Sequence, residues 1–241
     1  MPGPPPLPLI DYPAWLRVPL APDPPAGKGG ASPPPPPVGA GAAKPLADLT
    51  TLPSTPADAP AKISIPAALD TKFDEQWGKS FPGGRSQEFG GTLVRDKTSG
   101  ELSLVNIGGG SSGAFTAVNR TVDAGKEIVG IFHTHPYSRA EGGYTNVSLS
   151  GGDIAYAALN KDAVIIAQSG TGQFMVVRTA ETPTVVDFDK INDKGNDRVA
   201  ELMKAGKGYE ESTRIAAKEA AVELKMAYYE GKDGEFKRVS P

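Results

Sequence analysis

Residues 128–136, Ile-Val-Gly-Ile-Phe-His-Thr-His-Pro, contain both histidines of the 241-residue chain and decide how the rest is organised. The first five residues are mostly β-branched or aromatic, which predicts a buried strand. Residues i and i+2 of a strand point to the same face, so His133 and His135 project side by side with Cα atoms about 7 Å apart. Pro136 cannot donate to a β-ladder and ends the strand. Two imidazoles in this arrangement suit the binding of one metal ion.

A short helix is predicted next, over residues 151–159, with Ser150 as its N-cap. Asp153 falls in the first turn, near the positive end of the helix dipole. Ser-x-x-Asp is a capping-box pattern that needs no metal. A carboxylate that follows a His-x-His strand end could also supply a third ligand, and three protein ligands with one open position are typical of a catalytic zinc site. Both interpretations of Asp153 remain open at this point.

The third part of the pattern lies upstream, where residues 88–95 predict a strand that starts with Glu88. A free carboxylate beside a metal-bound water can act as its general base, although Glu88 alone would be an ordinary surface acid. Glu127 shares the strand parity of His133 but lies six residues before it, too far along the strand to join the same site. Glu88 is therefore the better candidate for the base.

In this order, these residues resemble the motif of the JAMM (MPN-like) metalloprotease family: an upstream Glu, then His-x-His-Pro, then Ser-x-x-Asp. The resemblance is to a bacterial JAB-like branch that occurs as C-terminal domains of polymorphic and secreted toxins. It covers roughly residues 64–188. The 14 residues 136–149 between the second His and the Ser are more than in the better-known deubiquitinating members.

The resemblance implies a function and a role for each residue of the motif. It implies an α+β fold with a JAMM-like mixed sheet flanked by helices, and hydrolysis of peptide or isopeptide bonds in a protein or peptide substrate. His133, His135 and Asp153 would bind Zn²⁺, Glu88 would be the general base, and the Ser150 hydroxyl would stabilise the oxyanion. A toxin of this branch would also have a cognate immunity protein as a partner. The alternative is a non-catalytic binding module of the same fold that acts by protein–protein interaction.

Composition divides the chain into three parts. Because 19 of its 24 prolines lie in the first 60 residues, we expect residues 1–62 to be a Pro-rich, largely disordered arm. The segment around Trp15 is either plain linker or a docking segment for a carrier protein or secretion apparatus. Residues 63–190 are predicted to form the metal-dependent hydrolase domain, and residues 191–241 a C-terminal helical extension.

Local patterns predict the remaining elements. Residues 63–80 show helical spacing, with Phe73 and Trp77 as core anchors. The loop at residues 137–146 would govern substrate access or be a plain surface excursion. Two hairpins are predicted, one from residues 88–95 and 102–106 and the other from residues 163–167 and 173–178. A strand is predicted at residues 184–188. Helices are predicted from Asn192 to the end, the second spanning about residues 212–230.

Charge and composition exclude several classes of function. A net charge of −3 favours neither nucleic acid nor an anionic membrane as a partner and argues against a nuclease. Without cysteine there are no disulfides, and any metal must be held by histidines and carboxylates. The sequence contains no apolar stretch of about 18 residues, so we expect no membrane span. The N-terminus lacks the basic and apolar regions of a signal peptide. An effector of this kind would therefore start in the cytoplasm of the producing cell and leave it by a non-Sec route.

Overall fold

One mixed β-sheet of nine strands organises the part of the chain that the computed structural model describes, which is residues 42–111, 115 and 120–239. Its order is β1-β2-β9-β8-β7-β6-β5-β3-β4. The β1–β2 and β5–β6 pairs are parallel and the other pairs are antiparallel. The strands are β1 Lys44–Pro45, β2 Lys62–Ser64, β3 Phe89–Asp96, β4 Leu102–Gly109, β5 Lys126–Thr134, β6 Val164–Ser169, β7 Gly172–Val177, β8 Ala227–Lys232 and β9 Glu235–Arg238.

Helices cover both faces of this sheet. They are α1 Ala67–Lys79, α2 Gly151–Asn160, α3 Phe188–Lys204 and α4 Tyr209–Glu223. Helix α1 packs on one face, where Phe73 stacks on Phe132 with ring centroids 3.7 Å apart. Helices α2 and α4 cover the other face through small side chains such as Ala157 and Ala221. The predicted class, a mixed sheet flanked by helices, is confirmed.

The central strands form where the sequence predicted them. Strand β5 lies between β3 and β6 and carries His133 near its end, where its residues are buried. At Gly130 the backbones of β5 and β6 approach so closely that a Cβ would overlap the Val164 carbonyl oxygen. Both hairpins, β3–β4 and β6–β7, are confirmed. A tight turn closes the first of them, where the side chain of Asp96 accepts hydrogen bonds from the backbone N–H groups of Thr98 and Ser99.

The predicted boundary of the N-terminal arm at residue 62 is wrong, because residues 42–62 belong to the folded unit. Leu46 is fully buried in the core on the α1 face, together with Leu49. The backbone of this segment is fixed as well: the Pro60 carbonyl accepts a hydrogen bond from the Tyr229 hydroxyl at 2.7 Å. The expectation for the remainder of the arm, including Trp15, lies outside the described residues.

The predicted C-terminal helical extension is also wrong beyond Glu223. Helices α3 and α4 are present, but α4 ends where Lys225 adopts a left-handed conformation with φ 56°. The chain then forms β8, which pairs with β7, and returns as β9. Tyr228 and Tyr229 are both fully buried on opposite faces of the sheet, as strand alternation requires. The sheet therefore crosses the predicted domain boundary at residue 190.

Three smaller predictions are corrected. Residues 184–188 do not form a strand: Val185 is 87% exposed, and the Asp187 side chain instead caps α3 by accepting from the Lys190 N–H at 3.1 Å. Residues 63 and 64 of the predicted helical segment 63–80 belong to β2, and helix α1 begins at Ala67, directly after Pro66. Trp77 is half-buried against Phe81 rather than a core anchor. Among the described residues, no helix has the length and apolar character needed to cross a membrane.

Candidate metal centre

Two secondary-structure elements bring the three predicted ligands together. His133 lies near the end of β5 and His135 directly after it, while Asp153 lies in the first turn of α2. The Nε2 atoms of the two histidines are 2.8 Å apart. Asp153 Oδ1 lies 3.1 Å from His133 Nε2, and Asp153 Oδ2 lies 3.5 Å from His135 Nε2. The three side chains thus present converging donor atoms, a group that could hold a metal ion.

The spacing of these atoms fits a small tetrahedral cation. Ligand atoms about 2.0–2.1 Å from a tetrahedral zinc lie roughly 3.3 Å from one another. The two Nε2 atoms are 2.8 Å apart, and the Asp153 carboxylate approaches them through different oxygens, Oδ1 at 3.1 Å from His133 and Oδ2 at 3.5 Å from His135, so all three separations lie near that value. The donors are two imidazole nitrogens and one carboxylate oxygen, a set that zinc accepts and that oxygen-preferring cations such as Mg²⁺ do not favour.

A backbone carbonyl fixes the tautomer of His135. Its Nδ1 lies 2.9 Å from the Ser148 carbonyl oxygen. Because a carbonyl oxygen only accepts, Nδ1 carries the hydrogen, and in the neutral ring Nε2 keeps a lone pair directed at the centre. A hydrogen bond from the non-ligating nitrogen is the usual orienting contact of a metal-bound imidazole. His133 Nδ1, in contrast, is buried and has no hydrogen-bond partner among the described residues.

Asp153 forms the predicted capping box and also lies where it could hold a metal ion. Its Oδ2 accepts hydrogen bonds from the backbone N–H and the hydroxyl of Ser150, each at 2.7 Å, and its own N–H donates to Ser150 Oγ at 3.1 Å. This is the predicted capping box. The cap orients the carboxylate so that Oδ1 faces His133. The single hydroxyl hydrogen of Ser150 is directed to Asp153, so an interaction with a substrate oxygen requires this hydroxyl to rotate.

Strand register explains why Glu88 lies in the same site. Gly90 pairs with His133 in the β3–β5 ladder, so the antiparallel register extends to place Glu88 opposite His135, on the same face. Glu88 is 7% exposed. Burial raises the pKa of its carboxyl to about 7, although His135 and His133 nearby and the Phe115 backbone N–H favour the charged form. Glu127, which was predicted to lie too far along the strand to join the site, forms an ion pair with Arg95 at 2.6 Å.

The site is electrostatically coupled. Burial alone would lower the pKa of His135, but its hydrogen bond to Asp153 and the negative charges of Asp153 and Glu88 raise the pKa to about 9. Burial acts to raise the pKa of Asp153, yet His133 and His135 hold it well below its ordinary value. A cation bound between these side chains would therefore find Asp153 already ionised and would displace a proton from His135.

The sequence interpretation missed the close approach that Gly90 permits. A Cβ at this position would overlap the Phe132 carbonyl oxygen and lie 2.8 Å from His133 Cα. Glycine inside a strand pattern often marks such an approach, so the Gly-Gly pair at positions 90 and 91 was the available signal. The orienting carbonyl of Ser148 had no signal in the sequence, because any residue supplies a carbonyl.

The predicted access loop, residues 137–146, is anchored at both ends. Near its start, Glu141 accepts hydrogen bonds from the hydroxyls of Ser138 and of Ser86, which lies two residues before Glu88. Near its end, the backbone N–H groups of residues 145 and 146 donate to the side chain of Glu210 in α4. The loop is therefore held beside the centre, and its role in substrate access stays a prediction.

Comparisons with known proteins give no relative for this chain: no protein-family model, no curated protein and no solved structure matches it. A fold also does not by itself define an activity. The geometry of the centre formed by His133, His135 and Asp153, with Glu88 beside it, is therefore the basis for a functional conclusion.

Proposed function

We propose that this protein is a zinc-dependent hydrolase of peptide or isopeptide bonds with a JAMM-like active site. One observation carries the proposal: the Nε2 atoms of His133 and His135 lie 2.8 Å apart and each faces one oxygen of the Asp153 carboxylate, at 3.1 and 3.5 Å, beside the buried carboxyl of Glu88. Three protein ligands leave one position of a tetrahedral ion for substrate or water, which is the form of a catalytic zinc site.

Each residue of the site then has a specific task. Zinc held by His133, His135 and Asp153 would polarise the scissile carbonyl and lower the pKa of a coordinated water toward about 7. Glu88 accepts the proton of the attacking water and delivers it to the leaving amine nitrogen. Burial favours the protonated form of the Glu88 carboxyl and positive charge beside it favours the ionised form, so both protonation states are accessible for the two transfers. The Ser150 hydroxyl turns from Asp153 to donate to the developing oxyanion.

The order of the motif and the mixed sheet flanked by helices support a JAMM-like fold. The effector role rests on the resemblance of the motif to the toxin branch. We infer a protein or peptide substrate, because the chemistry acts on amide bonds. In the effector role, the Pro-rich N-terminal segment would engage a carrier or secretion apparatus, and a cognate immunity protein would neutralise the enzyme in the producing cell.

Glu88→Gln tests the proposal, because the variant keeps the size of the side chain but cannot accept a proton from water. We expect the variant to bind zinc like wild type and to lose about 10²–10⁴-fold in turnover. The assay would incubate zinc-loaded protein with peptide and isopeptide-linked substrates and detect cleavage by mass spectrometry. Glu101→Gln is the matched control, since Glu101 is an exposed acid beside the first residue of β4 and should leave turnover unchanged.

The same pair of variants separates the hydrolase from the binding module. If expression of the chain arrests growth of a target cell, Glu88→Gln should abolish the arrest at equal protein level. A Glu88→Gln variant that remains fully active in both assays contradicts the hydrolase and favours a module that acts by protein–protein interaction.

A further inference from the structure

Strands β3 and β5 are joined by a side-chain hydrogen bond beyond the end of their ladder. The last backbone pairing is Gly90 with His133. One residue further on, the backbone N–H of Phe89 donates to Oγ1 of Thr134 at 2.9 Å. Thr134 is the residue between the two histidines and is fully buried. Its side chain points to the sheet face opposite the histidines, so it fixes the chain next to Glu88 without entering the site.

Hydrogen counting extends this contact to helix α1. The Ser80 hydroxyl donates to the Gln76 carbonyl oxygen at 3.0 Å, which uses its only hydrogen. Thr134 Oγ1 lies 2.8 Å from Ser80 Oγ, so Thr134 must be the donor of this pair. The result is a directed series from Phe89 N–H through Thr134 and Ser80 to Gln76, in which every hydroxyl both donates and accepts. We call it the base network.

A second series of hydroxyls lies behind the histidine ligand. Ser148, whose carbonyl orients His135, has its own hydroxyl 2.7 Å from the Tyr228 hydroxyl. Its backbone N–H donates to Thr213 Oγ1 at 3.3 Å. Tyr228 is on β8 and Thr213 on α4, so this ligand network comes from the C-terminal part of the chain.

We propose that these two networks position the base and the metal ligand independently, with Thr134 and Ser80 as positioning residues for Glu88 and Tyr228 as a positioning residue for His135. They share no residue and approach from opposite faces of the sheet. The effect on turnover rests on the proposed function, whereas the effects on zinc affinity and amide exchange do not.

Thr134→Val tests the base network, since it keeps the shape of the side chain and removes the hydroxyl. We expect amide hydrogen exchange at Phe89 to accelerate up to about tenfold, zinc affinity to stay within twofold, and turnover to fall about 10–100-fold. Thr134→Ser should restore the exchange rate at Phe89 and the turnover, again with unchanged zinc affinity. Thr92→Val is the matched control, because Thr92 is equally buried and its hydroxyl has no hydrogen-bond partner among the described residues.

Tyr228→Phe tests the ligand network. We expect the zinc dissociation constant to rise about tenfold or more, with Phe89 exchange unchanged. Tyr229→Phe is the control, because the neighbouring Tyr229 is also buried and its hydroxyl donates to a carbonyl, that of Pro60, far from the histidines. It should lose comparable stability and keep the zinc affinity of wild type.

Crossed effects would overturn the proposal. The two networks are not separate if Thr134→Val weakens zinc binding as much as Tyr228→Phe does. They are also not separate if Thr134→Val leaves amide exchange at Phe89 unchanged. Equal zinc affinities of the Tyr228→Phe and Tyr229→Phe variants would contradict the role of Tyr228 in positioning His135. If the wild-type chain binds zinc but cleaves no amide bond, only the proposed function is refuted. The amide-exchange and zinc-affinity measurements then still test the two networks.

Discussion

Gly90→Ala is expected to disturb the candidate metal centre more than the small size of the added methyl group suggests. The new methyl group would lie 2.8 Å from His133 Cα and overlap the Phe132 carbonyl oxygen. Non-bonded carbon atoms rest about 3.5–4.0 Å apart, so β3 and β5 must separate locally by about 1 Å. Overpacking of this kind costs about 1–3 kcal/mol, partly offset by the 0.5–1 kcal/mol by which Ala is preferred to Gly in a strand.

The functional effect of this change follows from register. His133 lies directly opposite Gly90, and Glu88 is two residues away on the same face. A misplacement of about 1 Å in a catalytic centre is worth about 10²-fold in rate. We therefore expect Gly90→Ala to lower the free energy of unfolding by about 1–2 kcal/mol. In the same variant, turnover should fall about 100-fold. Urea unfolding and the mass-spectrometric cleavage assay measure the two effects.

Gly108→Ala is the matched control. Gly108 pairs with Gly90 across the β3–β4 ladder, and a Cβ there meets nothing within 4 Å. This variant should keep the activity of wild type and equal or exceed its stability. If Gly90→Ala and Gly108→Ala behave alike in both assays, the close approach of β3 to His133 is not a requirement of the site.

Three further predictions concern the core, proton linkage and the access loop. Leu46→Ala should lower the free energy of unfolding, measured in urea, by about 2–5 kcal/mol, because Leu46 is fully buried. Leu52→Ala, at an exposed position of the same segment, should lower it by less than about 0.5 kcal/mol. Equal effects would show that residues 42–62 are not part of the folded core. Zinc affinity, measured by competition with a chelator, should rise about tenfold per pH unit between pH 7 and 9, because below a pKa of about 9 His135 carries a proton that zinc must displace. A zinc affinity that does not change with pH over this range would contradict the coupling. Shortening residues 137–146 should change cleavage activity at unchanged zinc stoichiometry, and loss of zinc would show that the loop supplies a ligand.

Much of the site was predictable because its parts obey short-range rules. Strand parity places His133 and His135 on one face, and the capping box places Asp153 at the start of α2. The position of Glu88 opposite His135 is different, because it depends on the pairing of β3 with β5, which the sequence did not predict. The contact between the hydroxyls of Ser148 and Tyr228, 80 residues apart, has no local pattern and needed the tertiary structure.

The two wrong boundaries have the same physical origin. Tyr228 follows Leu224 at helical spacing, so periodicity extends α4 past Lys225, where the backbone actually leaves the helix. Pairing with β7 and burial on both faces outweigh that local pattern. Leu46 and its neighbours likewise lack any period, because the segment docks by isolated side chains and backbone carbonyls. Neither tertiary pairing nor aperiodic docking is encoded within a window of ten residues.

The most direct test of the central claim is the zinc content of the purified full chain, wild type against His135→Ala, after equilibration with zinc and removal of the excess. Wild type should retain one zinc per chain. His135→Ala leaves only His133 and Asp153, and two ligands hold zinc poorly, so the variant should retain none. Wild type without zinc, or His135→Ala with the full amount, would contradict the assignment of His133, His135 and Asp153 as the metal centre.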